Sequence, residues 1–353
     1  MTSTLFRCAL LALPLVLTAC DSTDDGGSVD AGASIYATSN PADLSGDSVV
    51  RLSSDLSASN ATFGGITGVT SVQSVALADG TGYLTVDLAG ALGGIVVVDN
   101  LCEGDDCTNG DFSTGFSIGA GSRTISGVLT GLVAPKGIIN VDDRLIVADN
   151  GGAGAIRVFS ETATGNAAPL FVVTDITGAT NVWDVAYDDG DDRLFVAGTN
   201  GVVLVYDDFT ERGANATPTR TITPSDSAGV KISANLHGIA YDEGRDMLVL
   251  SDVGAATTLT QAGFNTDGQL FTIAGATSAT GNVAVRTRVS GTATTLGNPV
   301  DLALARNGSV YVAEKANSRV LRYDGLLTAT TAVTTAPNAS VAVTAAESVT
   351  SVT

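Results

Sequence analysis

Apolar and polar positions along this chain alternate in short bursts. No segment after residue 20 sustains a 3.6-residue apolar period, which argues against helices. The pattern is clearest at Asn298–Gly325 (NPVDLALARNGSVYVAEKANSRVLRYDG). Pro299 to Leu304 is apolar apart from Asp301, and Asn307-Gly308 then offers a turn, because both residues tolerate positive φ. Val310 to Ala313 and Val320 to Tyr323 follow as second and third strands. Runs this short, apolar on both faces and rich in β-branched residues, predict strands buried on both sides.

Weaker copies of this unit recur. Its first strand is repeated from Ser71 (SVQSVA), Ala134 (APKGII), Asn181 (NVWDVA) and Asn235 (NLHGIA). Second strands start at Arg144, Arg193 and Met247, with looser matches at Tyr83 and Ser34. Third strands start at Ile95, Ile156, Val203, Gln269 and Val49. A more polar fourth strand follows most units, from Ala61, Ala167, Ala216 and Asn338. Four-stranded β units repeated at this spacing predict propeller blades, which bury both faces only by stacking in a ring. Five units are complete. The sixth has second, third and fourth strands near Ser34, Val49 and Ala61 but no first strand before them. The C-terminal run from Glu347 to Thr353 (ESVTSVT) is expected to supply it, closing the ring and removing an open edge. The predicted fold is therefore an all-β, six-bladed β-propeller of four-stranded blades. A seventh blade would require a unit hidden between residues 74 and 137.

Two stretches sharpen this picture. Pro135-Lys136-Gly137-Ile138 with Arg144 to Asp149 and Ile156 to Phe159, and Pro299 to Ala303 with Val310 to Glu314 and Arg319 to Tyr323, share one motif. It runs P-x-G/D-φ-A, a turn, L-φ-V-A-D/E, then R-φ-φ-φ-F/Y. This resembles the NHL-repeat type of six-bladed propeller over roughly residues 33–353. The resemblance implies the fold and leaves function open, because that fold carries binding scaffolds and enzymes alike.

Composition adds location. Arg7 followed by the apolar run Cys8 to Val16, then Leu17-Thr18-Ala19-Cys20, resembles a bacterial lipoprotein signal, with Cys20 as the lipidated residue. The apolar run is too short to span a bilayer. Residues 1–19 are expected to be the signal peptide. Residues 20–33, acidic and Gly-rich, form a flexible tether, and residues 34–353 form the propeller. The expected location is the cell envelope, extracytoplasmic and lipid-anchored, with no other membrane contact. Of the remaining cysteines, Cys102 and Cys107 suit a small-loop disulfide in an oxidising compartment. The formal charge of −20 disfavours nucleic acid and anionic membrane surfaces as partners.

Candidate chemistry is sparse. Gly115-Phe116-Ser117-Ile118-Gly119 matches G-x-S-x-G but has no helix after it to form a nucleophile elbow. The acidic run Asp188 to Asp192 lacks the spacing of a calcium loop, and the four N-x-S/T matches at Asn60, Asn215, Asn307 and Asn338 read as turn residues. The first strands of a propeller line its axis. Their third column holds Gln73, Lys136, Trp183, His237 and Val300, and their fourth Ser74, Gly137, Asp184, Gly238 and Asp301. Second strands end in Asp149, Gly198, Asp252 and Glu314. Asp184, His237, Asp301, Asp149, Asp252 and Glu314 are thus candidates for a channel ligand or a Ca2+ ion, and Trp183 for a stacking platform. The alternative is structural: Asp184 and Asp301 accept bonds from neighbouring strand N–H groups, the strand-end acids begin turns, and Trp183 and His237 pack. Gluconolactonase-type propellers carry calcium at this place, held by carboxylate and Asn side chains where this chain has Lys136, Trp183 and His237.

The expected function is that of a non-catalytic, monomeric binding or scaffold protein without a cofactor. It would present loops on one propeller face, the Cys102–Thr124 and Gly254–Gly268 insertions, to a protein or envelope component. The alternative is a calcium-dependent lactone or ester hydrolase working in the channel.

Overall fold

A computed structural model describes residues 34–38, 40, 47–57, 59–64, 68–78, 80–90, 92–99, 101, 122–255, 267–343 and 352–353. The first sheet holds β1 (Ser34–Thr38), β2 (Asp47–Ser53) and β3 (Ser59–Gly64). The second holds β4 (Val69–Ala78), β5 (Thr81–Leu88), β6 (Leu92–Val98) and β7 (Arg123–Ser126). The third holds β8 (Pro135–Val141), β9 (Arg144–Asp149), β10 (Ala155–Ser160) and β11 (Phe171–Val173). The fourth is built from β12 (Val182–Asp188), β13 (Arg193–Gly198), β14 (Val202–Tyr206) and β15 (Arg220–Ser225), and the fifth from β16 (Leu236–Asp242), β17 (Met247–Asp252) and β18 (Gln269–Ala274). Next come β19 (Gly281–Ala284), which adds to the fourth sheet in parallel with β15, and β20 (Thr287–Val289), which completes the fifth. The last sheet is β21 (Pro299–Leu304), β22 (Val310–Glu314), β23 (Arg319–Tyr323) and β24 (Ala339–Ala342).

This is an all-β propeller arrangement, with strands where the apolar bursts place them. The expectation of six four-stranded blades needs correction: among the described residues five sheets have four strands or more, and the first has three. The C-terminal residues reach that sheet at one described point. Val352 bridges Ala37, and Tyr36 and Thr353 exchange backbone hydrogen bonds of 2.9 and 2.8 Å. The fifth strand of the fourth sheet was not expected. It arises because the segment entering β20 runs along the outer edge of the neighbouring sheet.

Packing explains why the sheets stack. Each apolar cluster joins two consecutive sheets. Val72, Leu84 and Val86 meet Tyr36 and Val49 between the first and second. Ile146 and Val158 meet Leu194 and Leu204 between the third and fourth. Ile35 and Leu52 meet Tyr311 and Val320 between the last sheet and the first. A fully buried Val, Leu or Ile contributes about 1.5–3 kcal/mol, so no sheet is stable without both neighbours.

The innermost strands share one irregularity. Pairing with the second strand shifts register between Val72 and Ser74, Pro135 and Ile138, Val182 and Asp184, Leu236 and Ile239, and Pro299 and Asp301. These five bulges fall around the third column of the repeat; β4 carries a further shift between Val69 and Ser71. A bulge turns its side chain out of the ordinary alternation, so one layer of irregular residues sits at one end of the channel. The chain enters at the other end. Ser34 begins β1, which pairs antiparallel with the C-terminal residues, so residues 1–33 join the structure at the end opposite the bulges.

Candidate functional site

The bulge layer forms the channel mouth. Trp183 and His237 stack across two blades, with ring centroids 3.6 Å apart and planes inclined by 9°. The Lys136 ammonium lies 5.4 Å from the Trp183 ring centroid, a cation–π distance. Lys136 Nζ donates to Gln73 Oε1 (2.8 Å). Gln73 Nε2 donates to Asp87 Oδ2 (2.7 Å) and Ser71 Oγ (2.6 Å). Trp183 is therefore engaged by its own neighbours and offers no free ring face to a stacking ligand on the His237 side. His237 is 8% exposed, and its Nδ1 is buried without a hydrogen-bond partner among the described residues. Burial first, then the charges of Lys315 and Lys136, push its pKa down to about 3, so the imidazole is neutral at physiological pH. Burial also lowers the pKa of Lys136; Lys315 lowers it further, while Asp87 and Asp149 act in the opposite direction.

One layer inward lie the two channel carboxylates. Asp184 accepts from its own blade at Val185 N (2.8 Å) and from the next at Ile239 N (3.1 Å). Asp301 repeats this with Leu302 N (2.8 Å) and Val352 N (3.1 Å). Each thus ties two innermost strands together. The glycines of the fourth column make room: a Cβ on Gly137 would lie 1.8 Å from Asp184 Oδ1, and one on Gly238 2.8 Å from Asp301 Cα. Burial, followed by the charge of Asp301, raises the Asp184 pKa well above the usual carboxylate range, and the two side chains share a hydrogen bond. Beyond them the channel widens to a cavity of about 260 Å³, walled by Ser74, Asn140, Tyr187, Leu302 and Thr353 among others.

The strand-end acids point elsewhere. Asp252 accepts from Ala234 N (2.6 Å), Asn235 N (3.0 Å) and Gly254 N (2.8 Å). Glu314 accepts from the backbone of Gly297, Asn298, Ala316 and Asn317. Asp149 takes Ala134 N (2.8 Å) and Arg157 Nε (2.7 Å). Each carboxylate pins the loop that enters the first strand of its own blade. Among the described residues no three His, Cys, Asp or Glu side chains gather as a metal site. In the acidic turn, Asp188 pairs with Arg193 at 2.7 Å, and Asp192 accepts from Tyr187 Oη and Thr210 N.

The structure thus brings Trp183 and His237 together, sets Asp184 and Asp301 beneath them, and assigns Asp149, Asp252 and Glu314 to loop entry. Cys20, Cys102, Cys107 and the G-x-S-x-G run lie outside the described residues. Two mouth residues escaped the sequence reading. Asp87 and Lys315 stand at the second-strand ends of their blades, one position beyond the acid column, where Asn150 also sits. The two long insertions do not share a face. The flanks of the first, Leu101 and Ser122, lie at the chain-entry end, and those of the second, Ala255 and Asp267, at the mouth. Four exposed apolar residues also lie at the mouth end: Leu92, Val128 (84% exposed), Leu129 and Val133. The Gly93 N–H donates to Leu132 O there (3.2 Å), joining the two segments that carry them.

No protein-family model matches the chain, and no curated protein matches its sequence. The fold is similar to two solved structures. A functionally unknown protein from Desulfotomaculum acetoxidans DSM 771 aligns with TM-score 0.50 and 10% identity, over 83% of this chain and 75% of that one. A protein of unknown function from Bacteroides caccae aligns with TM-score 0.53 and 10% identity, over 91% and 98% of the two chains. At this identity the likeness is one of fold alone: a β-propeller arrangement, shared with proteins whose own functions are unknown.

Proposed function

We propose that this chain is a non-catalytic binding propeller, tethered outside the cytoplasm through lipid on Cys20 and engaging its partner on the channel-mouth face. The observation that carries this reading is the engagement of the candidate acids by the protein's own donors. Asp149, Asp252, Glu314, Asp184 and Asp301 each accept at least two hydrogen bonds from the protein itself, most of them from backbone N–H groups. Hard cations want several oxygen ligands with free lone pairs, and those oxygens are already engaged in holding loops and strands. The tether side supports the choice of face, since residues 1–33 join the ring at the end opposite the mouth. The ring is read as six NHL-like units, the first completed by the C-terminal strand. The cluster joining the last sheet to the first supports that closure.

The calcium-dependent hydrolase makes opposite demands. After dialysis against a chelator, the binding reading expects no stoichiometric calcium and no calcium-dependent shift in Tm. A tightly held ion lost in Asp184→Ala and Asp301→Ala would overturn it in favour of the hydrolase. Face is tested separately with a photo-crosslinking side chain at Leu129 on the mouth face or at exposed Asp143 at the opposite end. Partner crosslinks are expected from Leu129. Crosslinks from Asp143 alone would reverse the assignment.

A further inference from the structure

The chain carries only three lysines, Lys136, Lys231 and Lys315, against 37 acidic residues. Two of the three stand at the channel mouth: the Lys136 ammonium lies 5.4 Å from the Trp183 ring centroid, and Lys315 follows the last residue of β22, its N–H donating to Asn298 O at the entry to β21 (3.0 Å). Consistent with that placement, the Lys315 charge depresses both Lys136 and His237. Like charges at one channel mouth repel, and an acidic chain has ample carboxylates with which to neutralise them. Yet neither lysine forms an ion pair among the described residues. Lys136 Nζ gives one hydrogen bond, to a neutral amide. Lys315 Nζ has none among the described residues. Asp87, the nearby carboxylate, is held by Ser71 and Gln73 instead. The neutral His237, more than nine-tenths buried, stands in the same layer with an unpartnered Nδ1 that can donate as Nδ1–H.

We infer that the channel mouth binds a small oxyanion, a carboxylate or phosphate group, held by the Lys136 and Lys315 ammonium groups beside the His237 imidazole. Charge-assisted hydrogen bonds to an oxyanion would use the ammonium protons that the protein leaves unpaired. A divalent cation is disfavoured by the two lysines. A polyanion is disfavoured by the chain's overall charge of −20. The inference rests on the mouth being the binding face and adds the chemistry that face recognises.

Trp183, the only tryptophan, touches this layer and reports on it. Its fluorescence in the purified full chain would be titrated with sodium succinate and with sodium phosphate, ionic strength held constant with sodium chloride. A saturable change is expected with at least one oxyanion, and which one responds identifies the group. Lys315→Met, at an exposed position, should weaken the affinity about tenfold or more, the loss of one charged hydrogen bond. Lys231→Met should stay within about twofold. Lys315→Gln serves as a second variant should the first fail to fold, and the wild-type titration decides on its own whether an oxyanion binds. No saturable change beyond chloride, or equal losses in the Lys315 and Lys231 variants, would overturn the inference. Failure here with Leu129 crosslinks intact removes only the oxyanion. A saturable response without those crosslinks removes only the protein partner.

Discussion

Two sets of polar residues crowd the same end of the channel, and their situations differ. Asp149, Asp252 and Glu314 are buried carboxylates with most of their acceptor capacity filled by hydrogen-bond donors from nearby loops. Lys136, Lys315 and His237 carry donors with few or no partners. Both sets look functional when only residue type and repeat position are considered. What separates them is whether the protein has already satisfied them. A satisfied buried group is structural, and an unsatisfied one beside an opening is available to a ligand.

The comparison is tested most strongly at Asp252. Asp252→Ala orphans three backbone N–H groups, each costing about 1–3 kcal/mol when buried. Relief from burying a carboxylate offsets part of this, since burial raises the Asp252 pKa. A net loss of about 3–5 kcal/mol is expected in denaturant unfolding, and Asp252→Asn should recover part of it. A variant of wild-type stability would break the claim that strand-end acids hold the fold. Gly137→Ala should come next, at about 1–3 kcal/mol for overpacking. The added Cβ meets Asp184 Oδ1 and, at 2.7 Å, Asp184 Cα, so a side-chain rotation alone cannot relieve it.

The strands were legible because burial on both faces leaves an apolar signature and the repeat fixes the register. The fourth column, Ser74, Gly137, Asp184, Gly238 and Asp301, was legible as a column. Its pairing of each Asp against a neighbouring Gly was not, because that contact runs between blades and sequence spacing reports only positions within one. The strand-end acids stayed open between two readings for a related reason: an acid ending a strand looks alike in sequence whether it faces a metal or the backbone of a loop. Lys315 was legible only as one of three lysines. Its approach to Lys136, 179 positions away in sequence, depends on ring closure. The fifth strand of the fourth sheet had no signal, since β19 pairs through backbone and is mostly exposed.

The two layers of the channel should also differ in their response to pH. His237 is held neutral down to about pH 3, whereas in the unfolded chain it protonates near 6.5. The unfolded state therefore binds the extra proton first, and stability is lost as pH falls from about 6.5 towards 3. Asp184 works in the other direction. Its folded pKa is raised, so the folded state keeps a proton that the unfolded chain releases near pH 4, and stability is lost as pH rises from there. Tm measured across pH for wild type, His237→Gln and Asp184→Asn separates the two. His237→Gln should flatten the profile below pH 6.5, and Asp184→Asn the profile above pH 4. Profiles parallel to wild type in both variants would mean that neither group is perturbed by its layer.

The smallest stability effect is expected at Lys315, and its smallness sharpens the comparison with Asp252. The residue is exposed and its ammonium has no hydrogen-bond partner among the described residues, so Lys315→Met orphans nothing. Partial burial lowers the Lys315 pKa, so removing the ammonium relieves a desolvation cost, while attraction to Asp87 is lost. Repulsion from Lys136 is lost as well. Surface changes of this kind stay within about 0.5 kcal/mol. The same variant should nonetheless move a titration. His237 is the only histidine in the chain, so its ring resonances can be followed by NMR without assignment. With one neighbouring cation gone, its pKa should rise above about 3. An unmoved titration would place Lys315 too far from the imidazole to share a ligand with it, and a stability loss above about 2 kcal/mol would return Lys315 to the structural set alongside Asp252 and Glu314.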